Sequence, residues 1–214
     1  MTDSSDLPDG GNPPGTARVI LLTGPSGSGK SRLASRTGLP VLQLDDFYKE
    51  GGDASLPRIG AAVDWDSPRS WDADSAVRAI AQLCAGGRTT APRYDISVSA
   101  RTGEETLLLE GAPLFVAEGI FAADIAARCR ELGLLAEALC LRGRPFTTFR
   151  RRLVRDIREA RKPVPLLLRR GLRLMRAEAD IVARHQALGA HPCTRDEALT
   201  RITHHHTAAT ALNA

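Results

Sequence analysis

The feature that most constrains this chain is the stretch Arg18–Leu33, which reads RVILLTGPSGSGKSRL. Its first six residues are mostly aliphatic or β-branched, a composition typical of a buried strand. The next eight, Gly24–Ser31, match the pattern G-x-x-x-x-G-K-[ST] of a loop that surrounds phosphate groups, and the residues after them open a helix. A strand, this loop and a helix in that order predict a nucleotide-binding α/β domain.

Each residue type in this phosphate loop has a chemical task. Glycines at Gly24, Gly27 and Gly29 allow positive φ angles, so the backbone N–H groups can turn toward phosphate oxygens. Lys30 can reach the β- and γ-phosphates, and the hydroxyl of Ser31 can bind Mg²⁺. We therefore predict that ATP is bound by Gly24, Ser26, Gly27, Ser28, Gly29, Lys30, Ser31 and Arg32.

Buried strands alternate with helical segments along the rest of the chain, which indicates a parallel sheet. Strands are predicted at Val41–Leu44, Leu114–Ala117 and Leu135–Leu141, and helices at about 72–85, 122–132, 145–162 and 166–188. Two β-prone segments around Arg101-Thr102-Gly103 predict a hairpin that turns there. The expected fold is an α/β P-loop NTPase: a three-layer sandwich with a mainly parallel sheet, helices on both faces, a small β-hairpin insertion and a helical lid.

The length of 214 residues suits a single domain, predicted at 17–203. Residues 1–16 are acidic and rich in Pro and Gly without an apolar core, which predicts a disordered tail rather than a secretory signal. A capping-box pattern at Thr194–Glu197 predicts a last short helix, and the chain from Ile202 is expected to fray, leaving a C-terminal tail at 204–214.

The composition limits which binding partners and which cellular location we expect. No run of 18 apolar residues occurs, so we expect no membrane span. The chain is basic because it is rich in arginine, but no aromatic residues interleave the basic ones, so nucleic acid is not expected as a partner. The four cysteines, which lack metal-type spacing, predict reduced thiols and a cytoplasmic location.

Acidic residues follow two of the predicted strands. Asp45 and Asp46 come directly after the second strand, and Glu118 ends the strand at Leu114–Ala117. Ligands of parallel sheets lie beyond the carboxyl ends of the strands, where the phosphate loop also begins. A carboxylate there can accept a hydroxyl proton or bind Mg²⁺, although each acid could equally be a solvated residue at a strand end.

The helix predicted from Pro145 carries one basic face, which includes Arg151 and Arg155. Two interpretations stay open: a solvated surface, or a lid whose guanidinium groups hold the transferring phosphates. No N-K-x-D or D-x-x-G element follows the phosphate loop at suitable positions, which argues against a GTPase.

Six motifs occur in a fixed order between Val19 and Lys162: G-P-S-G-S-G-K-S, D-D-F-Y, W-D-S-P-x-x-W-D, P-R-Y-D-I-S-V-S-A-R, E-G-I and R-R-L-V-R-D-I-R. This series resembles that of the uridine kinases (uridine/cytidine kinases). The resemblance implies ATP and Mg²⁺ as cofactors and transfer of a phosphoryl group to the 5′-hydroxyl of a pyrimidine nucleoside. Because related kinases assemble, it also allows a homo-oligomer, although the sequence reveals no interface.

The resemblance also implies roles for individual residues. On the acceptor side, Asp45 matches the catalytic base and Asp66 the aspartate that binds the ribose hydroxyls. The nucleoside pocket would further include Tyr48, Tyr94 and Arg101. On the donor side, Glu118 matches the acid near Mg²⁺, which would be bound with Ser31 and Asp45. The lid arginines Arg151, Arg152 and Arg155 would lie over the phosphates, where Arg155 would act in catalysis together with Lys30, and Arg151 would bind ATP.

Two motifs differ from the family pattern. W-D-S-P stands where the family usually has F-D-H-P, so a histidine is lost there. In the stretch after Tyr94, Ile96 stands where the family has phenylalanine, and Ser99 stands where it has the histidine that reads the pyrimidine. Two alternatives therefore stay open. One is a kinase for a different hydroxylated small molecule, similar to phosphoribulokinase or pantothenate kinase, and the other is a nucleotide-binding regulatory protein without an acceptor.

Overall fold

Five parallel strands form the central sheet of the computed structural model, which describes residues 17–142 and 178–212. The strand order is β2-β7-β1-β8-β9, so the strand that leads into the phosphate loop lies in the middle. Nine strands occur in the described ranges: β1 Arg18–Thr23, β2 Val41–Gln43, β3 Arg58–Ile59, β4 Ala62–Val63, β5 Arg88–Asp95, β6 Ala100–Leu108, β7 Leu114–Glu118, β8 Leu135–Leu141 and β9 His191–Cys193. The helices there are α1 Lys30–Arg36, α2 Ala73–Gly86, α3 Ala126–Glu131, α4 Glu178–Ala187 and α5 Arg195–Leu212.

The strand register places the predicted site residues at the carboxyl ends of the sheet strands. Glu118, the last residue of β7, is level with Leu22 on β1 and with Gln43 on β2. The chain leaves β1 into the phosphate loop and leaves β2 into a 3₁₀ turn, Leu44–Phe47, that contains Asp45. Three chain segments with chemically active side chains therefore start from the same sheet edge.

Both faces of the sheet are covered, as the sequence predicts. The side chains of β1 alternate between two cores: Val19 and Leu21 pack with α2 on one face, and Ile20 and Leu22 pack with α1 and α5 on the other. All four are at most 1% exposed. Burying a side chain of this size contributes about 1.5–3 kcal/mol, so β1 anchors the phosphate loop firmly.

The long hairpin exists, but the predicted position of its turn is wrong. Arg101 and Gly103 lie within β6, and the chain turns at residues 96–99. Asp95 stabilises this turn, because its Oδ1 accepts hydrogen bonds from the backbone N–H of Ser97 at 2.8 Å and from its hydroxyl at 2.6 Å. This local Asx turn decides the reversal rather than the glycine.

The prediction of a frayed end from Ile202 is also wrong, because α5 continues to Leu212. The capping box is confirmed: the Thr194 N–H donates to Glu197 at 2.7 Å, and the Glu197 N–H donates to the Thr194 hydroxyl at 3.3 Å. Ile202 is 1% exposed in the core next to β1, and further along the helix His205 contacts Glu137 of β8 at 3.0 Å. Tertiary contacts therefore extend the helix past its local signal.

Several predictions fall on other parts of the chain. The tail at 1–16 and the helix at 145–162, with its lid arginines, lie outside the described residues. Of the helix predicted at 166–188, the described portion is α4. None of the helices within 17–142 and 178–212 has the length and apolar character needed to cross a bilayer.

Candidate active site

The phosphate loop has the conformation that its glycines predict. Gly24, Gly27 and Gly29 have φ angles of 139°, 80° and 96°. A Cβ atom at Gly24 would lie 2.6 Å from the carbonyl oxygen of Leu141, so this position has no room for a side chain. Positive φ and close backbone packing together explain why the turn requires glycine.

Lys30, the first residue of α1, folds back over the loop. Its ammonium donates to the carbonyl oxygen of Gly24 at 3.0 Å and lies 3.5 Å from that of Pro25. The side chain is only 7% exposed, so its charge is held inside the loop rather than in bulk water. A partly desolvated cation interacts strongly with an anion that enters the loop.

A cavity of about 180 Å³ opens between the loop and the strand ends. Eight of its nine lining residues belong to the predicted site, among them Lys30, Ser31, Asp45 and Glu118. The rest of its lining consists of Ser26, Gly27, Gly29, Arg32 and Ile120. The structure therefore unites residues from three separate stretches of sequence in one concave site that contains two cations, two hydroxyls and two carboxylates.

The backbone after β7 holds Asp45 in place. The N–H of Ile120 donates to the Oδ1 of Asp45 at 3.0 Å. A Cβ atom at Gly119 would lie 2.9 Å from the same oxygen and 2.8 Å from the Cβ of Leu44. The sequence E-G-I thus has a structural explanation, because its glycine lets the carboxylate approach and its isoleucine N–H binds it.

Glu118 is 3% exposed and has the character of a ligand. Burial raises the pKa of its carboxyl group, and the hydrogen bond with Ser31 and the charge of Lys30 oppose that rise. Its Oε2 is buried and has no hydrogen-bond partner among the described residues. A buried carboxylate oxygen without a partner, beside a hydroxyl and a second carboxylate, fits the oxygen ligands that Mg²⁺ prefers.

Aromatic side chains collect beside this cavity around Tyr48. Its ring lies 5.7 Å from that of Tyr94 and 5.8 Å from that of Trp65, centroid to centroid. Burial, assisted by the charges of Asp45 and Asp66, raises the pKa of Tyr48, so its hydroxyl is a hydrogen-bond donor, here to the carbonyl of Trp65 at 3.2 Å. The structure therefore packs Tyr94 and Trp65 against Tyr48, and the charges of Asp45 and Asp66 both act on the Tyr48 hydroxyl.

Other predicted residues lie elsewhere. The guanidinium of Arg101 is 3.6 Å from the carboxylate of Asp72, the N-cap of α2, and borders a second cavity of about 430 Å³. Ser28 is buried and does not line the loop cavity. Arg151 and Arg155 lie outside the described residues. A substrate role for Arg101 stays a prediction.

Arg195 is a residue that the sequence did not indicate. Its guanidinium donates twice to the carbonyl oxygen of Ser28, from Nε at 3.1 Å and from Nη2 at 2.7 Å. A Cβ atom at Gly29 would lie 2.7 Å from the same Nη2. Arg195, the first residue of α5, therefore stabilises the phosphate loop by binding its backbone. The only sequence pattern near Arg195 was the capping box at Thr194, which predicted a helix start and not this contact.

Comparison with known proteins agrees with this geometry. The model of the phosphoribulokinase/uridine kinase family matches residues 19–161. A uridine kinase of Saccharomyces cerevisiae is 32% identical over 119 residues, which cover 51% of this chain and 24% of that protein. A uridine kinase of Lactiplantibacillus plantarum is 31% identical over 121 residues, covering 53% of this chain and 56% of that protein. The chain thus spans about a quarter of the length of the first relative and little more than half of the length of the second.

A solved structure supports the fold. A proposed fructose transport system kinase from Silicibacter sp. TM1040 superposes with a TM-score of 0.57 at 20% identity, covering 87% of this chain and 91% of that one. At this identity the likeness concerns architecture alone. It confirms the predicted α/β P-loop fold, which the parallel sheet order also shows.

Proposed function

Because this chain belongs to the phosphoribulokinase/uridine kinase family, we propose that it is an ATP-dependent kinase that phosphorylates the 5′-hydroxyl of a pyrimidine nucleoside. The observation that carries the proposal is the loop cavity, in which the ammonium of Lys30 and the carboxylates of Asp45 and Glu118 line one space. Phosphoryl transfer needs this combination of a proton acceptor and fixed charge.

Asp45 would act as the base. It accepts the proton of the acceptor hydroxyl as that oxygen bonds to the γ-phosphorus, while the bond from the γ-phosphorus to its bridging oxygen breaks and ADP leaves. The hydrogen bond from Ile120 holds one carboxylate oxygen, Oδ1. Oδ2 remains for the hydroxyl, so orientation of the base is built into the backbone.

The donor side rests on the phosphate loop. Its backbone N–H groups and Lys30 would bind the phosphates and stabilise the charge that builds up on them during transfer. Ser31, Glu118 and Asp45 would hold Mg²⁺, which supplies neutralisation of the phosphate charge when bound. Lys30 would leave the loop carbonyls that it now contacts and bind the incoming phosphates instead.

On the acceptor side, the half-buried ring of Tyr94, which packs on the buried ring of Tyr48, offers a flat apolar surface for a base, and the exposed carboxylate of Asp66 is available to ribose hydroxyls. The hairpin turn supports a second candidate, a kinase for another hydroxylated small molecule. Ile96 there is 62% exposed, and Ser99 supplies a backbone carbonyl to Gly51 at 2.8 Å. Neither residue offers a side chain equivalent to the base-reading histidine of the family.

The test is ADP release with ATP and Mg²⁺ in the presence of a panel of nucleosides and small alcohols. We expect uridine or cytidine to stimulate the wild type and Asp45→Asn to lose that stimulation. Asp74→Asn is the matched control, because it makes the same chemical change at an exposed surface ion pair with Arg128. Stimulation by another alcohol alone would select the second candidate, and ATP binding without any acceptor turnover would favour a regulatory protein.

We further propose a cytoplasmic location. Cys84, Cys129, Cys140 and Cys193 are all buried free thiols. Burial raises the pKa of each, to about 12 for Cys84 and about 11 for Cys129, so the unreactive thiol form dominates at neutral pH. Buried reduced thiols are typical of proteins kept in a reducing compartment.

A further inference from the structure

A chain of hydrogen bonds runs beneath the loop cavity from α4 to Asp45. The Nδ1 of His185 lies 3.2 Å from the hydroxyl oxygen of Thr23, the last residue of β1. That hydroxyl lies 3.2 Å from the carbonyl oxygen of Ile120, whose own N–H donates to Asp45 at 3.0 Å. Three contacts of 3.0–3.2 Å thus connect α4 to the candidate base.

Only one arrangement of protons satisfies this chain. The Ile120 carbonyl can only accept, so the single proton of the Thr23 hydroxyl is donated to it. The Thr23 oxygen must then accept from His185, which places a proton on Nδ1. Thr23 is fully buried and His185 is 3% exposed, so neither group has water as a substitute partner.

His185 is also held as a neutral group. Burial, together with the charges of Arg184 and Lys30, lowers its pKa to about 4. Its remaining described contact at Nδ1 is the Sγ of Cys140 at 3.7 Å, a weak and uncharged neighbour. The imidazole therefore stays neutral across the neutral pH range.

We propose that Thr23 and His185 are positioning residues that orient the Asp45 carboxylate by fixing the backbone of Ile120. Ile120 follows Gly119, and a glycine has no side chain that could restrain the backbone at this point. The backbone of Ile120 is therefore fixed by hydrogen bonds at both its N–H and its carbonyl group. Asp45 binds its N–H, and Thr23 binds its carbonyl. The inference rests on the proposed function in assigning Asp45 as the base, but the hydrogen-bond chain itself can be tested separately.

The first test detects the hydrogen bond between the Ile120 N–H and Asp45 directly and requires no enzyme activity. We would compare the amide proton shift of Ile120 by NMR in the wild type, Thr23→Val and Thr23→Ser, with Asp45→Ala as the reference for a broken bond. Valine keeps the shape but removes the hydroxyl, whereas serine keeps it. We expect Thr23→Val to move the Ile120 signal in the direction of Asp45→Ala and Thr23→Ser to retain the wild-type position. An unmoved signal in Thr23→Val overturns the inference.

A second pair of variants covers the other end of the chain. His185→Leu removes the donor, and His185→Asn places an amide N–H near the position of Nδ1. If Thr23→Val does not fold, these two variants test the inference by the same Ile120 amide signal. We expect the signal to move in His185→Leu and to keep its wild-type position in His185→Asn. Equal shifts for both variants overturn the proposed role of His185.

Kinetics then separate positioning from general stability. We expect Thr23→Val to lower kcat on the order of tenfold with the KM for ATP unchanged, because the base is displaced and the phosphate loop is not. Thr23→Ser should restore kcat. Cys129→Ala, a substitution in the core beyond the site, is the control for a destabilised protein. If the wild type turns over and Thr23→Val matches it, the inference fails.

The two proposals fail in different ways. Absence of acceptor turnover in the wild type refutes the proposed kinase, while the Ile120 signal still decides whether Thr23 and His185 hold this backbone. Loss of kcat together with an equal rise in the KM for ATP in Thr23→Val would mean that the hydroxyl supports the phosphate loop instead, which also overturns the inference.

Discussion

His185 should make the stability of this protein fall in mildly acidic solution. The imidazole is 3% exposed, and its pKa is lowered from 6.5 to about 4, chiefly by burial and also by the charges of Arg184 and Lys30. In the unfolded chain the same group takes up a proton below pH 6.5. Between these two values the unfolded state therefore binds more protons, and the free energy of unfolding falls as the pH falls.

The size of the effect follows from the two pKa values. At pH 5 an unfolded imidazole is almost fully protonated and a folded one is mostly neutral, which costs about 2 kcal/mol of stability relative to pH 8. Below the folded pKa the loss levels off at about 3 kcal/mol, since one pKa unit corresponds to about 1.4 kcal/mol. A loss of this size is a large fraction of the stability of a typical domain.

The measurement is urea unfolding at pH 8 and pH 5 for the wild type and His185→Asn. Other titrating groups are present in both proteins, so the difference between their pH dependences isolates His185. We expect the wild type to lose about 2 kcal/mol more than the variant. His206→Asn is the matched control, because it removes an exposed histidine. Identical pH dependence in the wild type and His185→Asn would refute the argument that His185 is folded in neutral form.

Three further predictions concern the loop cavity. Glu118→Gln should weaken Mg²⁺-dependent ATP binding about tenfold or more, seen by calorimetry with and without Mg²⁺, because it removes the charge of the buried carboxylate that we propose binds the metal. Gly119→Ala should lower kcat by up to about a hundredfold with little change in ATP affinity, because the added Cβ would lie 2.9 Å from Asp45. Arg195→Met should weaken ATP binding by about 1–2 kcal/mol in the same calorimetric assay, because the carbonyl of Ser28 loses two charged donors. Wild-type values in any of these variants would contradict the role assigned to that residue.

The conformation of the phosphate loop was predictable in detail because its information is local. The glycine spacing around Gly27 and Gly29 determines the φ angles of the loop, and Lys30 and Ser31 follow at fixed positions. The strand-end acids Asp45 and Glu118 were also found, because a parallel sheet gathers such ends at one edge. Their meeting in one cavity bears out that geometric argument.

Elements whose form depends on competing signals were predicted less well. The hairpin has its turn at residues 96–99 because the Asp95 side chain stabilises a turn there. This short-range signal was present in the sequence, but the prediction gave more weight to Gly103. The last helix continues beyond Ile202 because that side chain packs in the core, a contact that no local pattern reveals. Strand β9, of three residues, was missed for the same reason.

The sequence by itself determined the elements that depend on neighbours within a few residues: the buried strand β1, the loop turn at Gly24–Ser31 and the acids at the strand ends. Only the tertiary structure decided which distant residues support them. Arg195 binds Ser28 across 167 positions of the chain, and His185 binds Thr23 across 162. Such contacts depend on strand order and helix placement, which result from the packing of the whole core and leave no periodic trace in the local sequence.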